Sequence, residues 1–424
     1  MMRPMGRLVG LMGIAVLVLA ACAHGGGERT ELRFWLMGRE AEVIHELLPE
    51  FERRHPGIHV TVQQLPWTGA HAKLLTAFAG DTLPDVSQLG NTWVPELAAL
   101  GALEDLGPRA AASRVVRQDD YFAGIWDTNR VDGTLRGVPW YVDTRLLVYR
   151  RDLRAQAGFR EPPRSWDEWA RAMRAIKANA PDRYAILFPL NEFEPLLALS
   201  LQGPGDLIVD GRRGGFEGPA FRQALAFYLS TFRKGWAPEM SNTQISNVWT
   251  EFGRGFYAFY VSGPWNIAEF KKRLPPERQG DWMTAPLPGP HGPGASIAGG
   301  SSLVVMNASR HKDAAWQLIE YLSEPEVQQR FHALTGNLPP RRATWADPRL
   351  AADPYAKAFR EQLERVRPAP AVPEWERIVN EMQHVAEEVV RGGLDAAAAP
   401  AELDHRVDRM LEKRRWMLER QAAK

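Results

Sequence analysis

The chain has 424 residues, a formal net charge of +1, 45% hydrophobic residues and one cysteine. This length exceeds the size at which a single hydrophobic core stops growing, so we expect two domains. The near-zero net charge gives no long-range field that would attract nucleic acid, and a lone cysteine excludes a disulfide framework. We therefore expect no nucleic-acid partner, no metal and no cofactor.

The N-terminal segment has the pattern of an export signal. Arg3 and Arg7 precede the apolar run Leu8–Leu19, which is too short to cross a bilayer as a helix. The run ends in Leu19-Ala20-Ala21-Cys22, which resembles the lipobox of bacterial lipoproteins. An ordinary secretory signal with a chance cysteine is the alternative.

The lipobox resemblance implies processing and anchoring. The signal peptide would span residues 1–21, Cys22 would be the lipidated N-terminus, and residues 22–30 would form a Gly-rich tether. We expect a periplasmic or extracytoplasmic protein that its lipid holds at a membrane. The sequence leaves the choice between inner and outer membrane open.

The first part of the chain alternates between strand and helix patterns. The predicted strands are Glu31–Leu36, Ile58–Val62 and Pro84–Leu89, and the predicted helices are Glu42–Arg54 and about His71–Ala79. The order strand, helix, strand, helix, strand predicts a parallel open sheet.

The later part continues the mixture of elements. Ser165 is expected to cap a helix, with Glu168 as its capping-box partner. The remaining predicted elements are a long strand Val138–Tyr149, a hairpin turn Val209–Arg212, a strand Ser301–Val305, the helices Lys312–Leu322 and Glu326–Leu334, and a mostly helical part from Pro348.

Two further patterns bear on function. The chain contains no HExxH, CxxC, P-loop or GxSxG motif, and Pro56-Gly57 breaks the helical spacing of His55 and His59. Several tryptophans stand near Gly, Pro or Asn, where loops at a binding site are expected, and aromatic faces with nearby polar groups suit sugars. These tryptophans are Trp93, Trp140 and Trp265.

Several segments, in this order, resemble a known family. They are Phe51-x4-Pro56-Gly57-Ile58-x-Val60, Ala79-Gly80-x3-Pro84-Asp85-Val86, Gly137-Val138-Pro139-Trp140-Tyr141-Val142-Asp143-Thr144, Pro163-x-Ser165-Trp166-Asp167-Glu168, Ser262-Gly263-Pro264-Trp265-Asn266, Pro286-Leu287-Pro288-Gly289, Ala298-Gly299-Gly300, Ala314-Ala315-Trp316 and Gly336-Asn337-Leu338-Pro339. Together they resemble family 1 of the extracellular solute-binding proteins, the sugar-capturing subunits of bacterial ABC importers. The members that this pattern resembles most bind α-linked disaccharides of the trehalose and maltose class.

The resemblance implies an α/β fold of the two-lobed periplasmic binding protein type (type II), with the ligand in the interlobe cleft. The chain would cross the hinge three times, and closure of the hinge would trap the ligand. The first lobe would contain residues 31–142 and 303–339, and the second residues 143–302 and 340–424. We place the crossings near Val142–Thr144, Ala298–Leu303 and Leu338–Arg342.

The strongest candidate ligand contacts lie near the first crossing and in the Gly-Pro-Trp segment. The Asp143 carboxylate can accept two sugar hydroxyls, unless it is a surface carboxylate of an edge strand. Tyr141 would share a strand face with Asp143 or pack in the core. Trp265 follows a Gly-Pro turn that would present its ring to a pyranose, and Asn266 is a lesser candidate. Trp249 would line the second lobe or pack in its core.

Further candidates follow from strand ends and glycines. Glu40 and Asn91 follow the first and third strands, and ligands bind at the carboxyl ends of parallel strands. Gly299 and Gly300 allow close backbone approach to a ligand, or they form a bulge or hinge. Ser301 stands where the resemblance implies an aromatic residue, and Asn91 stands near the place of a carboxylate.

The third crossing supplies the last candidates. Arg341 and Arg342 follow Pro339-Pro340, and the guanidinium group of one of them would fork onto sugar hydroxyls. We prefer Arg342, although the sequence does not decide which of the two faces the cleft.

These features predict a monomeric, non-enzymatic protein that captures an α-linked disaccharide and delivers it to the permease subunits of an ABC importer. A secreted glycan hydrolase is an alternative, with Glu40 and Asp143 as its carboxylate pair. The sequence is also compatible with a lipid-anchored adhesion or scaffold protein and with a binding protein for monosaccharides, oligosaccharides, polyols or glycerol phosphoesters. It leaves open which sugar binds and whether the resting state is open or closed.

Overall fold

The computed structural model describes residues 29–245 and 247–422. The predicted signal peptide, Cys22 and nearly all of the predicted tether lie outside the described residues. In the described part of the chain, no helix combines the length and the apolarity needed to cross a membrane.

The first lobe is built on a five-stranded sheet. Its spatial strand order is Ile58–Leu65, Thr30–Met37, Val86–Gly90, Gly300–Val305 and Val138–Val142. The first three strands are parallel, as the sequence predicts, whereas Gly300–Val305 runs antiparallel to both of its neighbours. The sheet is therefore mixed.

The strand Thr30–Met37 ends in a continuous apolar run, because both of its faces are covered from Phe34 to Met37. Phe34 and Leu36 pack into the core on one side of the sheet, and Trp35 and Met37 pack into the core on the other. The α-helices of this lobe are Gly38–Val43, Leu48–Arg54, Trp67–Ala79, Val94–Ala99, Gly107–Ala112, Lys312–Leu322 and Pro325–Thr335.

The predicted helix Glu42–Arg54 is wrong as a single element. It divides into the α-helix Gly38–Val43, a 3-10 turn Ile44–Glu46 and the α-helix Leu48–Arg54. Pro49 has no N–H to donate to the preceding turn, so a new helix starts around it.

The second lobe contains a four-stranded sheet in the order Trp282–Ala285, Leu146–Arg150, Tyr257–Ser262 and Tyr184–Leu187. The predicted long strand Val138–Tyr149 is wrong, because the chain leaves the first sheet after Val142 and enters the second at Leu146. The α-helices of this lobe before the third crossing are Arg151–Gln156, Trp166–Asn179, Glu194–Ser200, Pro219–Arg233, Val248–Arg254 and Trp265–Arg273.

The C-terminal part is mostly helical, as expected, and packs largely on the second lobe. Trp375 is fully buried in that lobe's core. The helices of this part are Pro348–Ala351, Pro354–Gln362, Trp375–Val390, Ala399–Met410 and Glu412–Ala422. The helix Ala123–Asp127 lies near the hinge, and the 3-10 turns after residue 90 are Asn91–Trp93, Gln118–Asp120, Asn242–Gln244, Pro276–Asp281, Ala343–Ala346 and Leu363–Arg365.

Local signals outside the two sheets are partly borne out. Ser165 caps its helix by accepting a hydrogen bond from the Glu168 backbone N–H at 3.2 Å, but the Glu168 carboxylate accepts from the backbone N–H of Arg164. The capping box is therefore only half formed. The predicted hairpin turn is present, and the paired two-residue strands are Ile208–Val209 with Arg213–Gly214, Arg130–Val131 with Thr134–Leu135, and Ser296–Ile297 with Val366–Arg367.

The three predicted crossings lie side by side. The Val142 N–H donates to the Leu338 carbonyl, and the Asp143 N–H donates to the Gly299 carbonyl, each at 2.9 Å. Residues around Phe122, assigned from sequence to the first lobe, pack in the core that surrounds these crossings. The hinge is therefore surrounded by a hydrophobic core of its own.

Candidate functional site

A cavity of about 990 Å³ lies between the two lobes, beside the crossings. One side of it is lined by Glu40, Trp67 and Asn91. Each of these residues follows the carboxyl end of one of the three parallel strands in the first sheet. The opposite wall comes from the second sheet, whose antiparallel strands Leu146–Arg150 and Tyr257–Ser262 bring Arg145 and Trp265 to one edge. The site is thus placed by strand ends of both lobes.

Nine of the twelve ligand-contact candidates from the sequence line this cavity. They are Glu40, Asn91, Tyr141, Asp143, Trp249, Trp265, Gly299, Gly300 and Ser301. A ligand in the cavity could reach all nine residues, but the contacts that each already makes decide how it could bind a ligand.

Asp143 belongs to an ion-pair cluster on the cavity floor. The Arg145 guanidinium donates through Nη1 to Asp143 Oδ1 and through Nη2 to Glu194 Oε1, the latter at 2.6 Å. The same guanidinium lies over the Trp265 ring, 4.6 Å from its centroid. Burial raises the pKa of Asp143, and the Arg145 charge opposes that rise.

Glu40 lies 6% exposed in the first lobe and has no cationic partner among the described residues. Its Oε1 accepts a hydrogen bond from Asn337 Nδ2 at 2.6 Å. Burial raises the pKa of Glu40, and the bond from Asn337 opposes the rise. Glu40 can therefore offer its other carboxylate oxygen to a ligand hydroxyl.

Tyr141 and Ser301 form a hydrogen-bonded pair in the wall. Ser301 Oγ donates to Tyr141 Oη at 2.9 Å, and Gln88 Nε2 donates to the same oxygen at 3.1 Å. Tyr141 is 7% exposed, and burial raises the pKa of its hydroxyl. The Tyr141 hydroxyl can donate onward, so this pair acts as an oriented polar patch.

Aromatic rings stand on both sides of the cavity. In the first lobe, Trp67 is 38% exposed and meets Trp93 edge-on, with ring centroids 5.6 Å apart. In the second lobe, the Trp265 ring lies so close over Gly263 that a Cβ there would overlap it. Trp249 Nε1 donates to Asn266 Oδ1 at 2.6 Å. Two indole side chains, Trp67 and Trp265, thus line the cleft from opposite lobes.

The paired glycines shape the crossing. A Cβ on Gly299 would overlap the Asp143 carbonyl oxygen, and one on Gly300 would overlap the Tyr141 carbonyl oxygen. Gly300 has φ +145°, which only glycine adopts readily. Of the two alternatives from the sequence, the hinge bulge is the one that these contacts support, although both glycines also line the cavity.

Three candidates do not reach the cavity. Asn266 is 1% exposed and its amide donates to Ser262 Oγ at 2.7 Å, so it is a core residue. The buried Arg341 guanidinium donates hydrogen bonds to the Asp120 carboxylate and to the Ser323 carbonyl. The two terminal nitrogens of Arg342 donate to the two carboxylate oxygens of Glu364. Nearby carboxylates turn both guanidinium groups away from the cleft.

Trp140 is also a core residue, not a residue of a loop at the binding site. It is 1% exposed and stacks on Phe331 at a centroid distance of 4.3 Å. Its Pro neighbour made it resemble a loop residue, but it lies within the buried strand Val138–Val142. It serves the core of the first lobe.

The sequence-based interpretation missed several lining residues, notably Arg145, Glu194 and Glu376. Arg145 stands two residues after Asp143, and this spacing could have suggested a shared direction. Glu376 is brought in by a C-terminal helix, and burial raises its pKa while a hydrogen bond from Thr92 opposes the rise. No local pattern identifies Glu194 or Glu376.

The charge of the cavity is unbalanced. Its lining contains five carboxylates and three cationic side chains, namely Glu40, Asp143, Glu194, Glu269 and Glu376 against Arg39, Arg145 and Lys272. Within the described ranges, no group of three or more His, Cys, Asp or Glu side chains could hold a metal ion. The site is therefore polar, acidic and walled by aromatic rings.

This architecture agrees with what comparisons with known proteins find. The chain belongs to the bacterial extracellular solute-binding protein family, whose model matches residues 38–329. The sugar-binding protein MalE from Xanthomonas citri is 60% identical, with a TM-score of 0.89 over 92% of this chain and 99% of that one. These findings confirm the family and the two-lobed fold expected from the sequence.

Two more distant relatives extend the comparison. The maltose-bound MalE3 of T. maritima is 25% identical, with a TM-score of 0.77 over 90% of this chain and 100% of that one. The diacetylchitobiose binding protein DasA of Streptomyces coelicolor is 23% identical and aligns over 88% of this chain and 91% of its own length. The relatives are binding proteins, and their named sugars differ.

Proposed function

We propose that this protein is the substrate-binding subunit of a bacterial ABC sugar importer and that it captures an α-linked disaccharide, with maltose and trehalose as the first choices. The observation that carries the proposal is the presence of indole side chains from opposite lobes, Trp67 and Trp265, in the lining of a cleft that also contains Asp143 and Glu40. Pyranose rings combine apolar faces with hydroxyl edges, and this site offers partners for both.

The size of the cleft supports a disaccharide. Its volume of about 990 Å³ is at the upper end of the range of ordinary small-molecule sites, which is about 300–1,000 Å³. The relation to a MalE and to a maltose-bound MalE3 favours maltose as the first ligand to try.

The charge of the cleft argues for a neutral ligand. With five carboxylates against three cationic side chains in its lining, the site would repel a phosphoester or a uronic acid. Glycerol phosphoesters, which the sequence alone leaves open, are therefore disfavoured.

We further propose that binding closes the lobes about the three crossings and that no bond of the sugar is broken. A hydrolase would need a proton donor and a second carboxylate placed on either side of the glycosidic bond. Asp143 Oδ1 is already bound to the Arg145 guanidinium, which leaves the other oxygen of this carboxylate to accept a sugar hydroxyl. Small-angle scattering should give a smaller radius of gyration with saturating ligand than without it.

The cellular setting completes the proposal. A lipid on Cys22 would hold the monomeric protein at the outer face of a membrane, where the closed form would meet the permease. The family is one of extracellular binding proteins, which supports a place outside the cytoplasm.

Titration calorimetry tests the ligand assignment. Maltose, trehalose and maltotriose should be compared with glucose and with glycerol 3-phosphate, the last as an anionic control. We expect binding of maltose or trehalose, weaker binding of glucose, no binding of glycerol 3-phosphate and no release of glucose from either disaccharide. If neither disaccharide binds at millimolar concentration while another solute class does, the proposed ligand is wrong.

A further inference from the structure

Arg145 occupies a position that the ligand-binding proposal does not by itself explain. It is 8% exposed, and its carbonyl accepts a hydrogen bond from Ser296 Oγ at 2.6 Å. It immediately precedes the strand Leu146–Arg150, at the start of the second lobe. The backbone of Arg145 is thus fixed beside the hinge, and its side chain extends along the floor of the cleft.

The guanidinium group of Arg145 contacts three cleft residues at once. Its two terminal nitrogens bind one oxygen each of Asp143 and Glu194, and its carbon lies 4.6 Å from the centroid of the Trp265 ring. In the part of the chain that the structure describes, the second oxygens of Asp143 and Glu194 accept no hydrogen bond from a protein group. One oxygen of each carboxylate is held and the other is left for a ligand.

We propose that Arg145 is a positioning residue that sets the directions of the Asp143 and Glu194 carboxylates and of the Trp265 ring for ligand binding. The proposal rests on the proposed function of the cleft. Arg145 itself need not touch the ligand, because it acts through the three groups that it holds.

Charge compensation gives the physical reason. Asp143, Glu194 and Glu192 surround this one guanidinium, and the Tyr260 hydroxyl stands near the same cluster. Without Arg145, Asp143 and Glu194 would repel each other in a partly buried site, and one of them would take up a proton. The pKa of Glu192 is already raised to about 7 by burial and by the Glu194 charge.

Lysine could supply the charge but not the geometry. An ammonium group is a point charge, whereas the planar guanidinium binds two carboxylates in fixed directions and stacks on an indole. Arg145→Lys should therefore recover part of the function that Arg145→Met removes. This difference separates an orienting role from simple neutralisation.

The chain offers a matched control outside the cleft. Arg54 also binds two carboxylates, Glu50 and Glu324, and its guanidinium lies 5.3 Å from the Tyr321 ring centroid. Arg54→Met removes the same kinds of contact from a surface that does not line the cavity. Its effect on maltose affinity shows what the loss of such an arginine does when the residue lies outside the cleft.

The experiment measures maltose affinity by calorimetry for the wild type, Arg145→Met, Arg145→Lys and Arg54→Met. We expect Arg145→Met to weaken binding at least about tenfold, the size expected for losing a charge-assisted orienting contact. Arg145→Lys should fall in between, and Arg54→Met should match the wild type. Equal affinities for Arg145→Met and the wild type would overturn the proposal.

A readout without ligand covers the case in which the wild type binds no sugar. The indole N–H resonance of Trp265, assigned with Trp265→Phe, should shift in Arg145→Met and stay in place in Arg54→Met. The melting temperature of Arg145→Met should also fall more steeply than that of the wild type as pH rises through the neutral range, because its unpaired buried carboxylates lose protons there. An unmoved Trp265 resonance together with an unchanged pH slope would refute the positioning role, whereas absent sugar binding alone would refute only the proposed function.

Discussion

Replacement of Trp265 by alanine separates a ligand contact from a packing residue. The ring is half-buried, lies over Gly263 and contacts the Arg145 guanidinium at 4.6 Å from its centroid. Loss of this cation–π contact should lower the free energy of unfolding by about 1–2 kcal/mol. Loss of the stacking face for a sugar should weaken binding by about 2–3 kcal/mol, the range of a buried aromatic anchor.

These magnitudes give distinct signals in two assays. A binding loss of about 2–3 kcal/mol corresponds to an affinity about 30- to 150-fold lower, which calorimetry resolves. The stability loss should lower the melting temperature by only a few degrees at about 2–4 °C per kcal/mol. The effect of the variant is therefore expected on affinity far more than on folding.

Two further tryptophans serve as controls for Trp265→Ala. Trp169 is fully buried in the second lobe, so Trp169→Ala should lower stability by about 3–5 kcal/mol and leave the affinity of the folded fraction unchanged. Trp416 is 52% exposed on the last helix, so Trp416→Ala should change neither quantity. If Trp265→Ala behaves like Trp169→Ala in both assays, Trp265 is a core residue and the stacking argument is wrong.

Four more outcomes are expected. Asp143→Asn should weaken sugar binding by about 1.5–3 kcal/mol in calorimetry, because a charged acceptor becomes neutral; an unchanged affinity would place the carboxylate outside the contact. Gly300→Ala should lower the melting temperature strongly, because its φ of +145° and the overlap with a neighbouring carbonyl both disfavour a Cβ, whereas Gly57→Ala, with open space around it, should be neutral. Glu192 has a pKa raised from 4.5 to about 7, so its share of the stability falls as pH rises between these two values, and Glu192→Gln should flatten that part of the melting curve against pH; an identical pH profile would contradict this. Intact mass of membrane-extracted protein should show loss of residues 1–21 and acyl groups on Cys22, and a soluble form that starts elsewhere would refute lipidation.

Local sequence patterns predicted those helices and strands that bury a clear apolar face. The helix Lys312–Leu322 has the predicted bounds, and the first three strands pair in parallel as their alternation with helices implied. The prediction of one long strand Val138–Tyr149 was wrong because strand-forming residues stand on both sides of Asp143–Arg145, where the chain changes sheets. Which sheet a strand joins is decided by tertiary packing.

The site was predictable where backbone position alone determines it. Glu40 and Asn91 follow parallel strands, and the topology brings such ends to one edge whatever their side chains do. The direction of a long side chain depends instead on partners that are distant in sequence. Arg342 turns toward Glu364, and Arg145 binds Glu194, 49 residues away.

A crystal structure of the protein with the tightest-binding disaccharide of the calorimetric panel tests the proposed binding mode most directly. We predict one sugar molecule between the lobes, with a pyranose ring on the Trp265 face and a hydroxyl within hydrogen-bond distance of an Asp143 oxygen. A sugar bound outside the cleft, or inside it without contact to either residue, would contradict this binding mode.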